Sequence, residues 1–168
     1  MSATKRERTY HWNDPLEGAD AARTMSGLEY LNAMKDGKLP LPPVLSTLDI
    51  HVKEIHEGAV AFDFMPQEFH YNPIGAVHGG VISTVLDSAM GCTVHSTLGA
   101  GKVYTTIEMK VNFLKAVTTK QLVLTAIGKI IFAGSRTALV EAQLIDAAGV
   151  LFAHATSTCL IMDLKQQA

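Results

Sequence analysis

The chain has 168 residues, 48% of them hydrophobic, with a formal net charge of −2. That length suits one domain with a substantial core, and no apolar run approaches the ~20 residues a membrane helix needs. Balanced charge without a continuing basic stripe argues against nucleic acid as a partner, and the polar run 2–8 leads into no hydrophobic stretch, so no secretory signal is expected.

Residues 1–43 read as an extension with one short helix, whose basic N-terminal cluster is expected to be a solvated tail. Between Ala21 and Met34, the residues Met25, Leu28, Leu31 and Met34 recur at helical spacing, and Gly37 supplies a stop. Pro40, Pro42 and Pro43 predict an extended approach to the main domain, residues 44–168. There the pattern turns to period two: Leu48–Ile55 and Ala59–Phe64 read as strands joined at Glu57-Gly58. A loop with Asn72, Pro73 and Gly75 follows, then a long apolar helix to about Leu98, ended by Gly99-Ala100-Gly101. Four more strand-like runs complete the chain, Val103–Leu114, Leu122–Phe132, Arg136–Ile145 and Val150–Ile161, separated by turn-forming residues. Short connections favour antiparallel neighbours, and one helix too apolar for the surface needs a sheet around it. The expected fold is α+β, a curled antiparallel sheet wrapped around one long central helix. Cys92 and Cys159 sit in apolar segments without metal-ligand spacing and read as reduced core thiols of a cytoplasmic protein.

Asp87 is the only Asp, Glu, Lys or Arg between His70 and Lys102. A carboxylate in apolar surroundings is costly without a partner or a task. His78-Gly79-Gly80 stands where the loop becomes helix, and a helix start offers unpaired N–H groups and partial positive charge to an oxyanion. Eight residues separate Gly79 from Asp87, about 12 Å along a helix. A shared site therefore calls for a second chain, its helix antiparallel, so that Gly79 of one faces Asp87 of the other.

The order Asn72…His78-Gly79-Gly80…Asp87, followed by Thr105–Leu114 and later Gly134-Ser135-Arg136, resembles the hotdog-fold acyl-CoA thioesterases of the PaaI-like type, in the 4-hydroxybenzoyl-CoA thioesterase superfamily. The resemblance runs from about Val44 to Met162. It implies hydrolysis of an aryl or fatty acyl-CoA, with Asp87 as nucleophile or general base and the Gly79 N–H as oxyanion donor. It also implies that Asn72 positions water or thioester, that His78 supports the loop, and that Thr106 assists Asp87, with Thr105 as the neighbour one register away. Gly80 and Arg136 are the substrate-binding candidates, Arg136 for coenzyme A phosphates. Met90, Val94 and Phe69 are candidates for an acyl pocket; His95, about two turns beyond Asp87 on the same helix, could line a pocket but is read as a satisfied, partly buried histidine. No cofactor or metal is expected, since no zinc spacing, phosphate loop or dinucleotide fingerprint occurs and coenzyme A arrives with the substrate. Expected partners are acyl-CoA and copies of the chain, a homodimer at minimum and a homotetramer by resemblance, with no membrane. A non-catalytic acyl-CoA binder and a hotdog-type acyl hydratase remain the alternatives.

Overall fold

The computed structural model describes residues 5–18 and 20–164; residues 2–4 of the N-terminal polar run and residues 165–168 of the main domain lie outside the described residues. Six strands make one sheet: β1 (Ile50–His56), β2 (Ala59–Phe64), β3 (Lys102–Phe113), β4 (Leu124–Ala133), β5 (Thr137–Ile145) and β6 (Leu151–Asp163). Their spatial order is β1-β2-β4-β5-β6-β3, and every neighbouring pair is antiparallel. The long connection after β2 carries the central helix, and β3 then docks at the far edge against β6. This is the curled sheet around a helix that the hotdog resemblance implies.

Period-two patterning decides which face is covered. Along β5, Ala138, Val140, Ala142 and Leu144 are buried while Thr137, Leu139 and Gln143 are exposed. The covering element spans Gly79–His95 and buries Ile82, Val85, Leu86, Ala89, Met90, Thr93 and Val94. Deleting a side chain as well enclosed as Leu86 costs ~2–5 kcal/mol. Gly128 of β4 permits the close crossing, because a Cβ there would lie 2.7 Å from the Ala89 carbonyl oxygen. The buried Thr93 hydroxyl accepts the Val60 N–H at 3.1 Å and so ties helix to sheet through a satisfied polar group.

The extension differs from the single helix its spacing predicts. A one-turn helix, α1 (Ala21–Thr24), stops at the extended Met25, and α2 (Gly27–Lys35) starts afresh. Ser26 and Glu29 form a capping box, in which the Ser26 hydroxyl accepts the Glu29 N–H and the Glu29 carboxylate accepts the Ser26 N–H at 2.8 Å. Reciprocal capping satisfies two helix-start donors, so the chain restarts here despite the apolar spacing across the break. The proline cluster likewise does more than extend the chain, since Pro43 opens α3 (Pro43–Thr47), its fixed φ and missing N–H suiting a first helical position. With these three named, the central helix is α4.

The described part of the N-terminal arm is solvent-exposed, as its charge suggests, and makes surface contacts with the domain. Arg6 pairs with Glu68 at 2.7 Å, and the Arg8 guanidinium sits 3.9 Å over the Phe69 ring while donating to the Ser46 and Thr47 carbonyls. Among the described residues no helix is long and apolar enough to cross a membrane.

Candidate active site

The loop before α4 is organised by Asn72. Its Oδ1 accepts the N–H groups of Ile74 and Ala76, at 3.1 and 3.3 Å, and Gly75 turns the loop at φ 81°. These bonds fold the loop back beside the helix start, so that Asn72 and Gly79 line one cavity of about 340 Å³ with Phe113 and Lys115. His78 is the N-cap residue, and its Nδ1 accepts the Gly80 N–H at 2.9 Å. The ring thus bonds an amide of its own helix, not a carbonyl, and it occupies the Gly80 N–H that a substrate would otherwise use. The Gly79 N–H, at the first helical position, has no carbonyl of its own helix to bond.

Asp87 lies two turns further on, half-buried on the stripe of α4 that the sheet leaves uncovered. The neighbouring hydroxyls on that stripe bond back into the helix, Thr84 to the Gly80 carbonyl at 2.9 Å and Ser88 to the Thr84 carbonyl at 2.8 Å. Asp87 is different. Its Oδ1 accepts the Thr106 hydroxyl of β3 at 2.9 Å, and its Oδ2 has no partner among the described residues. Thr106, not Thr105, makes this contact because β3 carries a bulge between Thr106 and Glu108 opposite β6. The extra residue, Ile107, faces outward, and the buried Ser157 hydroxyl donates to the Glu108 carbonyl at 2.8 Å beside the bulge. A bulge of this kind re-aims the side chain next to it.

Asp87 and Thr106 line a second cavity, of about 490 Å³, closed by α2 of the extension. Among the described residues that line it, Asp87 is the only Asp, Glu, Lys or Arg. Burial, and then the charge of Asp87, push the Cys92 thiol up to about 12, so it stays protonated and is a poor nucleophile. Burial also raises the Tyr104 hydroxyl well above its ordinary value.

One chain therefore brings the expected residues together as two half-sites, Asp87 with Thr106 and Gly79 with Asn72, on separate cavities. Arg136 joins neither: exposed just before β5, it accepts the Ile161 N–H through its carbonyl. Of the acyl-pocket candidates, Met90 and Val94 are fully buried core residues, and Phe69 lies beneath Arg8. The sequence reading passed over His95, which lines the Asp87 cavity and has a buried Nδ1 without a hydrogen-bond partner. Only its place eight residues beyond Asp87, on the same side of one helix, hinted at this.

The sequence model of the thioesterase superfamily matches residues 74–153. A candidate esterase of Saccharolobus solfataricus is 29% identical over 125 residues, 74% of this chain and 87% of that protein. Among solved structures, a phenylacetic acid degradation-related protein of Ralstonia eutropha JMP134 superimposes with a TM-score of 0.72 at 27% identity, over 78% of this chain and 98% of the other. The E. coli PaaI protein, from the phenylacetic acid degradation operon, gives 0.70 at 16% identity, over 83% and 96% of the two chains. The matched segment holds Gly79, Asp87 and Thr106 but not Asn72, and the six-stranded antiparallel sheet with its long helix is the hotdog fold of these structures: the chain resembles the thioesterase superfamily in sequence over residues 74–153 and has the hotdog fold.

Proposed function

We propose that this protein is a PaaI-like acyl-CoA thioesterase whose site spans two copies of the chain. Thioester hydrolysis is supported by the match of residues 74–153 to the thioesterase superfamily model. The observation that carries it is Asp87 itself, a carboxylate with one oxygen held by Thr106 and the other unpartnered among the described residues, in a cavity to which those residues bring no other charged side chain. Residues 44–168 are taken as the catalytic domain and 1–43 as its extension, acting on acyl-CoA in the cytoplasm.

Two routes fit the geometry, and both balance. As nucleophile, Oδ2 adds to the thioester carbonyl, the oxyanion is held by a Gly79 N–H, and coenzyme A leaves as thiolate. Water then cleaves the acyl–Asp87 anhydride and restores the carboxylate. As general base, Asp87 takes the proton of the attacking water and returns it to the leaving thiolate. Asn72 spends its Oδ1 on the loop, leaving its NH₂ to position water or thioester, while His78 fixes the helix start. Gly80 contributes openness beside the cavity, and Arg136 an exposed cation for the coenzyme A phosphates.

Gly79 and Asp87 are about 12 Å apart along one helix, too far for one carbonyl to meet both. Pairing through the exposed edge of β3 would set a second α4 alongside the uncovered stripe of the first, antiparallel, and a two-fold axis would then build two equivalent sites. Pairing of such dimers gives the proposed homotetramer. The test is coenzyme A release from short, medium, long and aromatic acyl-CoAs by the native protein and by Asp87→Asn. The expected outcome is turnover by the native chain that is abolished in a folded, dimeric variant. Full activity in Asp87→Asn removes the assignment, and tight binding without turnover by either protein points to the binder instead.

A further inference from the structure

The Asp87 cavity contains hydrogen-bonding groups that cleavage of a thioester does not use. His95 lines it one turn beyond Cys92, is only 9% exposed, and keeps a partnerless Nδ1. Burial holds its imidazole below the ordinary value, so it is neutral and carries a single N–H. A sealed, orphaned N–H is rarer than a sealed bare acceptor. The proton therefore belongs on Nε2, which makes no hydrogen bond among the described residues. Tyr30 and Tyr104 flank the ring, with centroids 5.5 and 5.8 Å away. Neither tyrosine hydroxyl has a hydrogen-bond partner among the described residues, and Tyr104 lies across Gly91, where a Cβ would collide with its ring.

The opposite wall comes from the extension. Leu31 and Met34 of α2, with Pro42, close the cavity with apolar surface. They and Tyr30 all belong to the extension that precedes the sheet. The dimensions select a length. Of the ~12 Å between Asp87 and His95 along the helix, one attack contact and one hydrogen bond take ~3 Å each, leaving ~6 Å from acyl carbon to tip. A carboxylate at that tip would meet no cation among the described residues, of which Asp87 is the only charged one lining the cavity.

Resting on the thioesterase reading above, we infer that the far end of this cavity is a subsite for an acyl group carrying a neutral oxygen about 6 Å beyond the thioester carbonyl, with His95 and Tyr30 as specificity-determining residues. His95 Nε2–H donates to that oxygen and the tyrosine hydroxyls complete its hydrogen bonds. A site built to hydrogen-bond a group rejects the analogue lacking it, because its own polar atoms are then left unmet.

The probes are δ-oxohexanoyl-CoA and hexanoyl-CoA, compared by kcat/KM with the native protein and by binding to Asp87→Asn. The native protein is expected to favour the keto ester by about tenfold or more, with the same order in binding. His95→Phe and Tyr30→Phe are expected to bring that ratio toward one, and His95→Gln, which keeps an N–H, to retain part of it. A native ratio near one overturns the subsite even if His95→Phe fails to fold, and so does a ratio that neither variant moves. Binding that favours the keto ester without any turnover upholds the subsite and overturns only the hydrolase reading. Turnover of both esters at equal efficiency overturns only the subsite.

Discussion

A hydroxyl 2.9 Å from one oxygen of a carboxylate holds its rotamer and leaves the other oxygen for chemistry, the relation of Thr106 to Asp87. Thr106→Val keeps the branched shape that a strand favours and removes only this bond. A hydrogen bond to a charged group is worth roughly 1.5–3 kcal/mol to the fold, so the melting temperature should fall by about 5 °C, and kcat should fall about tenfold or more as the carboxylate loses its fixed rotamer, with KM hardly changed. Steady-state kinetics with a thermal melt check this, and an unchanged kcat would take Thr106 out of the site. Asp87 was legible in the sequence because nothing else ionisable stands between His70 and Lys102. The choice of Thr106 over Thr105 came from resemblance. Its physical cause is the extra residue Ile107, and neither spacing nor composition announces a bulge. His95 was only half legible: its place on the helix suggested a pocket, but its open nitrogen did not show. Its partnerless nitrogen is set by Gly27, Tyr30 and Tyr104, which lie far from it in sequence or on other elements.

At the scale of elements, the sheet and α4 follow from periods of two and 3.6, which survive folding because each strand and helix buries one face. The extension was harder to read, since its apolar spacing crosses the break at Met25. The Ser26-x-x-Glu29 capping signature marks the true start of α2 and outweighs that spacing. What seats α2 on the domain is Gly27. Its N–H donates to the Leu98 carbonyl at 2.8 Å, and a Cβ there would lie 2.6 Å from the His95 carbonyl carbon. That obstacle is backbone, so it cannot rotate away, and Gly27→Ala must lift the helix. Overpacking of this kind costs ~1–3 kcal/mol, a melting-temperature loss on the order of 5 °C for a chain of this size. Because Leu31 and Met34 close the Asp87 cavity, the same variant should accept bulkier acyl groups relative to its best short one. A melt and an acyl-CoA length series read both effects. A variant with native stability and an unchanged profile would show that α2 has no part in forming the pocket.

For the whole molecule the question is whether two half-sites on one helix are halves of a shared site. A substitution that removes only the oxyanion donor makes this decidable. Gly79 is the first residue of α4, where proline is well tolerated, and His78 before it has φ −61° and ψ 136°, the extended conformation that a following proline demands. Gly79→Pro should therefore keep the helix start and delete one N–H, with the Phe113 ring as the neighbour that must give slightly. Loss of an oxyanion-hole donor lowers kcat by about 10²–10³. Asp87→Asn and Gly79→Pro homodimers should then both be nearly inactive. Mixed in equal amounts under conditions that exchange subunits, they form heterodimers in which one site combines intact Asp87 with intact Gly79 and the other has neither. Random pairing makes half of the dimers mixed, so activity should return to about one quarter of the native level per chain. Asp87 and Gly79 acting within one chain would give no such recovery, because every chain in the mixture lacks one of them. Heterodimers verified by native mass spectrometry, yet as inactive as their parents, would exclude the shared site and leave the 12 Å along α4 to be bridged some other way.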